Sequence, residues 1–198
     1  MMIAIDPQPE DTLVFLGDYV DRGPDTRGVI DQLIELQSRT NVVAVIGNHE
    51  EMMLKVIRGE QAYQAWLQFG GLETLDSYGF DGGLEFLPPD HKAFFDSMVN
   101  LYTEDNFFFT HAAYDPNLPL EDQPDDMLRW HSLRDGIPSP HQSGKIAIVG
   151  HTADKKGDVL NLGHLICIDT YCYGGGFLTA LDVRNLAIWQ VTIDGFLR

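Results

Sequence analysis

Unbroken apolar runs alternate with an amphipathic segment at the start of the chain. Residues 13–16 and 42–46 are fully apolar runs of the kind found in strands buried on both faces. Between them, residues 24–26 have the composition of a helix start, and apolar side chains recur at helical spacing until about Ser38. A strand, a helix and a strand in this order predict a crossover unit with two parallel strands.

The pattern changes twice further along the chain. Residues 51–98 have helical periodicity and many aromatic side chains, with breaks at Gly70-Gly71, Gly82-Gly83 and Pro88-Pro89. Beyond them we predict strands at residues 107–109, 146–149, 164–168, 177–183 and 187–193, and a surface excursion at residues 115–142 with a short helix near residues 127–133.

These elements together predict an α/β (α+β) fold in a single domain, residues 1–198. We expect a two-layered β-sandwich flanked by helices. Its first half should be parallel, because it comes from crossover units, and its second half mixed or antiparallel. Ligands of such sheets bind beyond the carboxyl ends of the strands, so we expect the functional site at that edge.

Charge and cysteine content limit the partners and the compartment. The chain has 13 Lys and Arg against 30 Asp and Glu, a formal net charge of -17, which argues against binding to nucleic acid or to an anionic membrane. A phosphate group would need a local positive centre, such as a metal ion or a few arginines. Cys167 and Cys172 form neither a disulfide framework nor a C-x-x-C motif, and no secretory signal or bilayer-length apolar run is present. We predict a cytoplasmic protein.

Four apolar runs end in the same way, each followed by a side chain that can bind a metal. These residues are Asp18, Asn48, His111 and His151. Each of them alone is more often a hydrogen-bonded loop residue, but the joint pattern predicts a metal site. A carboxylate, an amide and two imidazoles suit Mn²⁺, Fe²⁺ or Zn²⁺, whereas Mg²⁺ sites hold fewer histidines.

Two motifs carry a resemblance to a known family. Residues 17–23 read GDYVDRG and residues 47–50 read GNHE, and both resemble motifs of the calcineurin-like metallophosphoesterases. The chain is most similar to the phosphoprotein phosphatase branch, which includes serine/threonine phosphatases and diadenosine tetraphosphate hydrolases. His111 and residues 150–152 fit the two histidine motifs of that branch, so the resemblance spans nearly the whole chain.

The resemblance implies a role for each motif residue. Asp18 would bridge two metal ions, and Asn48, His111 and His151 would complete the shell of the second ion. The family hydrolyses phosphoesters by direct attack of a metal-activated hydroxide, with Mn²⁺ as the preferred candidate here and Fe²⁺, Zn²⁺ or Mg²⁺ as alternatives.

The same resemblance implies the catalytic residues. His49 would be the general acid beside the leaving oxygen, Asp21 would orient its ring, and Arg22 would bind the phosphate as a planar, permanently charged fork. The family often adds an arginine near a tryptophan, for which Arg129 is the better candidate and Arg134 the second. An alternative places His131 at that position, which would weaken the phosphate clamp.

The chain departs from the family pattern at its start. The family opens with a strand and a Gly-Asp-x-His-Gly motif, whereas residues 1–10 here resemble the end of a first helix and a loop. We therefore expect one metal site instead of two, weak activity, and a truncated or misassigned start. The missing strand would also leave an exposed sheet edge, which suggests a homo-oligomer.

Three functions remain open at this point. A serine/threonine protein phosphatase-like enzyme acting on phosphoproteins or small phosphoesters is the first. A diadenosine-polyphosphate hydrolase is the second. The third is a catalytically silent module that recognises a phosphorylated partner, although a pure binder would not need His49 beside a leaving group.

Overall fold

A computed structural model describes residues 1–83 and 85–198. The chain divides into two compact units, one of residues 8–99 and one of residues 1–7 and 100–198. Each unit is described by itself, and the expectation of a single domain stays a prediction. No helix among the described residues is long and apolar enough to span a membrane.

The predicted crossover unit is confirmed in the unit of residues 8–99. Strand β1 (Thr12–Phe15) pairs in parallel with β2 (Asn41–Ala44), and helix α2 (Thr26–Gln37) connects them. The helix begins where the sequence indicates, because the Asp25 carboxylate accepts a hydrogen bond of 2.9 Å from the Gly28 N–H and caps the first turn. Its apolar stripe is buried in the core of this unit.

The predicted helical region after β2 is also confirmed. It contains α3 (Asn48–Ile57), α4 (Tyr63–Trp66), a π-helical turn (Leu67–Gly71), α5 (Leu72–Tyr78) and α6 (Pro89–Asp96). The break expected at Gly70-Gly71 falls inside the π-helical turn, where Gly70 leaves the helical conformation with a φ of 102°. Helix α6 starts on Pro89, whose missing N–H costs nothing in a first turn.

The other unit is built on a five-stranded mixed sheet in the order β3-β4-β5-β7-β6. Its strands are β3 (Leu101–Glu104), β4 (Phe107–Thr110), β5 (Ile146–Val149), β6 (Leu160–Asn161) and β7 (Leu165–Cys167). The three central strands are parallel to one another, and the two edge strands are antiparallel to their neighbours. The mixed character predicted for the second half is therefore confirmed.

The remaining elements of this unit are short. They are α1 (Met2–Ile5), α7 (Asp125–Trp130), two 3₁₀ turns (Leu120–Asp122 and Cys172–Gly174) and an antiparallel hairpin of β8 (Leu178–Leu181) and β9 (Ile188–Val191). The helix expected at residues 127–133 starts earlier, at Asp125, and ends at Trp130, because the backbone of His131 is extended.

The edge strands β3 and β6 are absent from the sequence prediction. Thr103 and Glu104 of β3 are exposed, so this strand has no continuous apolar run to mark it. Strand β6 is only two residues long. The central strands have the apolar runs that edge strands lack, because both of their faces are covered.

Candidate active site

Glu50 joins the two loops that follow β1 and β2. Its carboxylate is fully buried and accepts hydrogen bonds from the N–H groups of Gly47 and Asp18, both at 2.9 Å. The N–H groups of Tyr19 and Val20 also donate to it, at 2.7 and 3.2 Å. Sequence reasoning gave Glu50 no role, although a glutamate at the third position of a helix is a known N-terminal signal. Its effect is to hold both motif loops in one arrangement.

Gly47 allows a close approach between the same loops. A Cβ at Gly47 would lie 2.7 Å from Oδ1 of Asp18 and 2.9 Å from Oε2 of Glu50, closer than real Cβ contacts. The Asp18 carboxylate therefore lies against the first turn of α3, which begins at Asn48. Asp18, one predicted ligand of this unit, therefore lies against Gly47, which directly precedes the other predicted ligand, Asn48.

The backbone is strained at several predicted site residues. Among the described residues, eight that are not glycine have a positive φ, and four of them are Asp18 (59°), Asp21 (73°), Arg22 (62°) and His151 (61°). Left-handed conformations of this kind are unfavourable for residues with a Cβ and persist only where the surroundings determine them. Their concentration at predicted site residues favours a functional role for these loops.

His49 and Asp21 form a buried pair, as the resemblance implied. Nδ1 of His49 lies 2.6 Å from Oδ2 of Asp21, and both side chains are almost completely inaccessible. Within the described residues no hydrogen bond to Nε2 of His49 is found, and no buried side-chain nitrogen or oxygen lacks a partner. It follows that Nε2 retains a small exposure to solvent, within a side chain that is 3% exposed, and that Asp21 orients the ring through Nδ1.

The electrostatics favour the protonated form of His49. Burial lowers the pKa of the imidazole, but the hydrogen bond to Asp21 and the negative charge of Asp18 raise it, and the net effect is a pKa above the ordinary value. The nearby Arg22 charge acts in the opposite direction without reversing the shift. A histidine that holds its proton near neutral pH is suited to donate it to a leaving group.

Arg22 is held by its backbone and has an exposed side chain. Its N–H donates a hydrogen bond of 3.0 Å to the carbonyl oxygen of Gly70. A Cβ at Gly70 would lie 2.7 Å from this nitrogen, so only glycine fits there without a shift. The contact fixes the start of the Arg22 side chain, and the exposure of the residue is compatible with anion binding.

In the unit of residues 1–7 and 100–198, His111 and His151 lie next to each other. Nε2 of His111 is 3.1 Å from Nδ1 of His151, and Nε2 of His151 is 3.1 Å from the carbonyl oxygen of Trp130. The carbonyl requires a donor, so the proton of neutral His151 is on Nε2 and its Nδ1 carries a lone pair.

This geometry fits two ligands of one metal ion. Nitrogen atoms at right angles around an ion, with bonds of about 2.1 Å, are about 3.0 Å apart. The carbonyl of Trp130 gives His151 the outer hydrogen bond that metal-binding histidines normally have. His111 and His151 could therefore hold a divalent metal through His111 Nε2 and His151 Nδ1.

The three candidates for a further phosphate-binding residue have local partners. Arg129 pairs with Asp125 at 3.1 Å and donates from Nε to Oδ1 of Asn100 at 3.2 Å. Arg134 donates to the carbonyl oxygen of Ala153, and the His131 ring is near the carbonyl of Gly136. These contacts hold the residues in and next to α7 in place. A phosphate-binding role for Arg129 stays a prediction.

Each unit contributes two of the four predicted metal ligands. Within residues 1–83 and 85–198, no group of three or more His, Cys, Asp or Glu side chains is arranged to hold a metal ion. The predicted shell has three side chains of these types, Asp18, His111 and His151, with Asn48 as the fourth ligand. Their convergence on one ion therefore stays a prediction.

A model of the calcineurin-like phosphoesterase family matches residues 3–165 of the chain. The chain belongs to the calcineurin-like phosphoesterase family. The family resemblance expected from GDYVDRG and GNHE is confirmed. Serine/threonine-protein phosphatase 1 of Salmonella typhimurium (strain LT2) is 44% identical over 66 residues, which cover 33% of this chain and 28% of that protein. The match thus spans less than a third of the curated relative.

Solved structures share the fold of this family member. A candidate diadenosine tetraphosphatase has a TM-score of 0.71 at 22% identity, covering 96% of this chain and 84% of the other. A cold-active protein tyrosine phosphatase has a TM-score of 0.65 at 16% identity, covering 96% and 68%. A metallophosphoesterase from Sphaerobacter thermophilus has a TM-score of 0.52 at 15% identity, covering 94% and 79%. The predicted metallophosphoesterase-type α/β fold is confirmed.

Proposed function

We propose that the chain is a metal-dependent phosphoester hydrolase. The observation that carries the proposal is the buried His49–Asp21 pair, with an accessible Nε2 and the exposed Arg22 on the adjoining loop. A pure binding site for phosphate would need the arginine but no oriented imidazole. The pair instead supplies what the cleavage of a P–O bond needs, a proton for the departing oxygen.

The residues of the chain have distinct tasks in this proposal. Arg22 binds two phosphate oxygens through its planar fork and orients the phosphate. His49 donates its Nε2 proton to the leaving oxygen, and Asp21 keeps the ring aligned through Nδ1 during that transfer. The N-terminus of α3, a helix of ten residues, directs its dipole toward the anionic group.

Asp18, Asn48, His111 and His151 would hold the divalent metal. When bound, the metal activates water and neutralises charge on the phosphoryl group. We propose Mn²⁺ as the ion, with Fe²⁺, Zn²⁺ and Mg²⁺ as alternatives, and one ion per chain. Elemental analysis of protein purified without chelator tests this, and two tightly bound ions per chain would contradict it.

We propose phosphoproteins or small phosphomonoesters as substrates. Two observations support this class: the 44% identity with a serine/threonine-protein phosphatase over 66 residues, and the small number of lysines and arginines available to bind a polyphosphate. Dinucleoside polyphosphates are the second candidate, because the candidate diadenosine tetraphosphatase covers more of the fold. Relative kcat/KM for a phosphoserine peptide and for diadenosine tetraphosphate distinguishes the two.

The silent binding module remains the rival from another class. Wild-type protein with Mn²⁺ should hydrolyse phenyl phosphate, whose leaving oxygen needs a proton, and H49A should lose that activity while still binding inorganic phosphate. A wild-type protein that binds phosphate without any turnover would favour the rival and refute the hydrolase.

Three further proposals concern the state of the protein. The two free cysteines, with the pKa of the buried Cys167 thiol raised to about 11 by desolvation, support a reducing, cytoplasmic location. We also propose a single cooperative domain and a homo-oligomer. One calorimetric transition and the mass from light scattering test them, and two transitions or a monomeric mass would contradict them.

A further inference from the structure

We propose that Trp66 and Thr74 are positioning residues for the His49–Asp21 pair, and that Gly70-Gly71 brings them there. This inference rests on the proposed hydrolase function, because it assigns the pair a reaction to serve. All of these residues lie in the unit of residues 8–99.

The Asp21 carboxylate receives two donors besides His49. The indole N–H of Trp66 is 2.9 Å from both of its oxygens, and the Thr74 hydroxyl donates to Oδ1 at 2.9 Å. The same hydroxyl accepts the N–H of Asp21 at 2.7 Å. Trp66 and Thr74 are completely buried. These bonds fix the carboxylate plane, so the oxygen that faces His49 has one direction.

Gly70-Gly71 permits this close approach. A Cβ at Gly71 would be 2.6 Å from the Trp66 indole, and a Cβ at Gly70 would meet the Arg22 backbone. The left-handed conformation of Gly70 also aims its carbonyl at the Arg22 N–H. The π-helical turn therefore contacts Arg22, and the two residues that donate to Asp21, Trp66 and Thr74, lie on either side of the turn. Asp21 and Arg22 both have a positive φ. Turns of this type often occur at functional sites.

A positioning role makes a prediction that a purely structural role does not. If Asp21 is less well oriented, His49 donates its proton less efficiently, and the loss should be greatest for a leaving group that needs a proton. Phenyl phosphate has such a leaving group, whereas p-nitrophenolate leaves readily without one. Substrate binding through Arg22 should be unaffected, so kcat should change and KM should not.

The test uses W66F and T74V in the full chain loaded with Mn²⁺. W66F removes the N–H and keeps an aromatic ring, and T74V removes the hydroxyl at constant shape. We expect kcat for phenyl phosphate to fall about 10- to 100-fold, and kcat for p-nitrophenyl phosphate less than about 5-fold. T74S should restore the wild-type ratio. The matched controls are W189F, at a tryptophan of the other unit, and T40V, which removes a buried hydroxyl that donates to the carbonyls of Gln8 and Asp11 and not to Asp21.

A second readout does not depend on turnover. The strongly hydrogen-bonded Nδ1–H of His49 should give a far-downfield proton resonance with Mg²⁺ in place of Mn²⁺, identified by its loss in H49A. W66F and T74V should move this resonance, and W189F should not.

The outcomes separate the two proposals. Equal losses on both substrates, or an unmoved resonance, would overturn the positioning role. A wild-type protein inactive on both substrates would refute the hydrolase, and the resonance alone would then decide the inference.

Discussion

The unit of residues 8–99 contains two histidine–aspartate pairs that look alike in isolation. His49 and Asp21 are 2.6 Å apart, His91 and Asp31 are 2.8 Å apart, and both histidines are buried. The aspartates differ, because the Asp21 side chain is 0% exposed and that of Asp31 is 59% exposed. The second imidazole nitrogens also differ. That of His91 meets the Tyr78 hydroxyl at 2.7 Å, while that of His49 is accessible.

This difference separates the pair that we propose as catalytic from a structural one. His91 uses both ring nitrogens to tie α6 to α2 and α5, so it has no atom left for a substrate. His49 uses one nitrogen for its bond to Asp21, and the other is the one to which we assign the proton transfer. A buried histidine beside an aspartate is therefore no sufficient sign of catalysis. The state of the second nitrogen is the feature that distinguishes the two pairs.

The largest expected effect is the loss of kcat in H49A, with H91A as the matched comparison. H49A should lose about two to four decades in kcat for phenyl phosphate, the usual scale for a general acid. H91A should keep kcat per folded molecule within about twofold of wild type. Steady-state kinetics with the folded fraction determined by circular dichroism measures both. A similar loss of kcat in H91A would contradict the distinction.

Metal removal should reduce the phosphoester hydrolysis that we assign to the His49–Asp21 pair, and it should leave the His91–Asp31 pair unaffected. Chelation should reduce turnover of p-nitrophenyl phosphate by at least about two decades, and added Mn²⁺ should restore it. H111A and H151A should bind Mn²⁺ at least about 10-fold more weakly, because each removes a ligand. Isothermal titration calorimetry measures the affinity, with H141A as the control, since both ring nitrogens of His141 are engaged by Ser143 and Leu118. Unchanged affinity in H111A and H151A would exclude them as ligands.

The His91–Asp31 pair should contribute to the free energy of unfolding instead of to catalysis. H91A deletes a buried ring and leaves the Tyr78 hydroxyl without its partner, so we expect the free energy of unfolding to fall by about 2–4 kcal/mol. Urea denaturation measures it. A loss below about 0.5 kcal/mol would show that the Tyr78–His91–Asp31 contacts contribute little.

A glycine substitution should test whether Gly70 positions Arg22 for substrate binding. G70A places a Cβ against Arg22, whereas G79A introduces a similar left-handed strain with no atom within 4 Å. Both should lose about 1 kcal/mol of stability from the backbone. G70A alone should also raise KM for p-nitrophenyl phosphate, by about 3- to 10-fold, because Arg22 is displaced. Equal KM values in the two variants would separate Gly70 from substrate binding.

The smallest effect should come from the exposed aspartate. D31N removes the charge next to His91 but keeps the side chain in water, so the loss of stability should stay below about 1 kcal/mol. It should also diminish at high salt. Thermal denaturation at low and high ionic strength checks this, and a salt-independent loss of several kcal/mol would contradict it.

Much of the fold could be predicted because its signals are local. The runs at residues 13–16, 42–46 and 146–149 mark the strands β1, β2 and β5, and the Asp25 cap marks the start of α2. Of these three strands, only β5 is largely buried, whereas β1 and most of β2 are half-buried, so the expected burial of β1 and β2 on both faces was wrong. Strands β3 and β6 had no such signal, since an exposed or very short edge strand needs no apolar run. Their pairing with β4 and β7 is decided by the sheet that they join.

The candidate site also has features that local sequence motifs predict and features that depend on tertiary packing. The motifs of the sequence by themselves determined the family, the His49–Asp21 pairing and the chemistry of the candidate ligands. Only the tertiary structure decided that Trp66 and Thr74, 45 and 53 residues from Asp21 in the chain, donate to its carboxylate. The physical reason is that periodicity and capping act between near neighbours. Hydrogen bonds across such separations depend on packing, which no local pattern encodes.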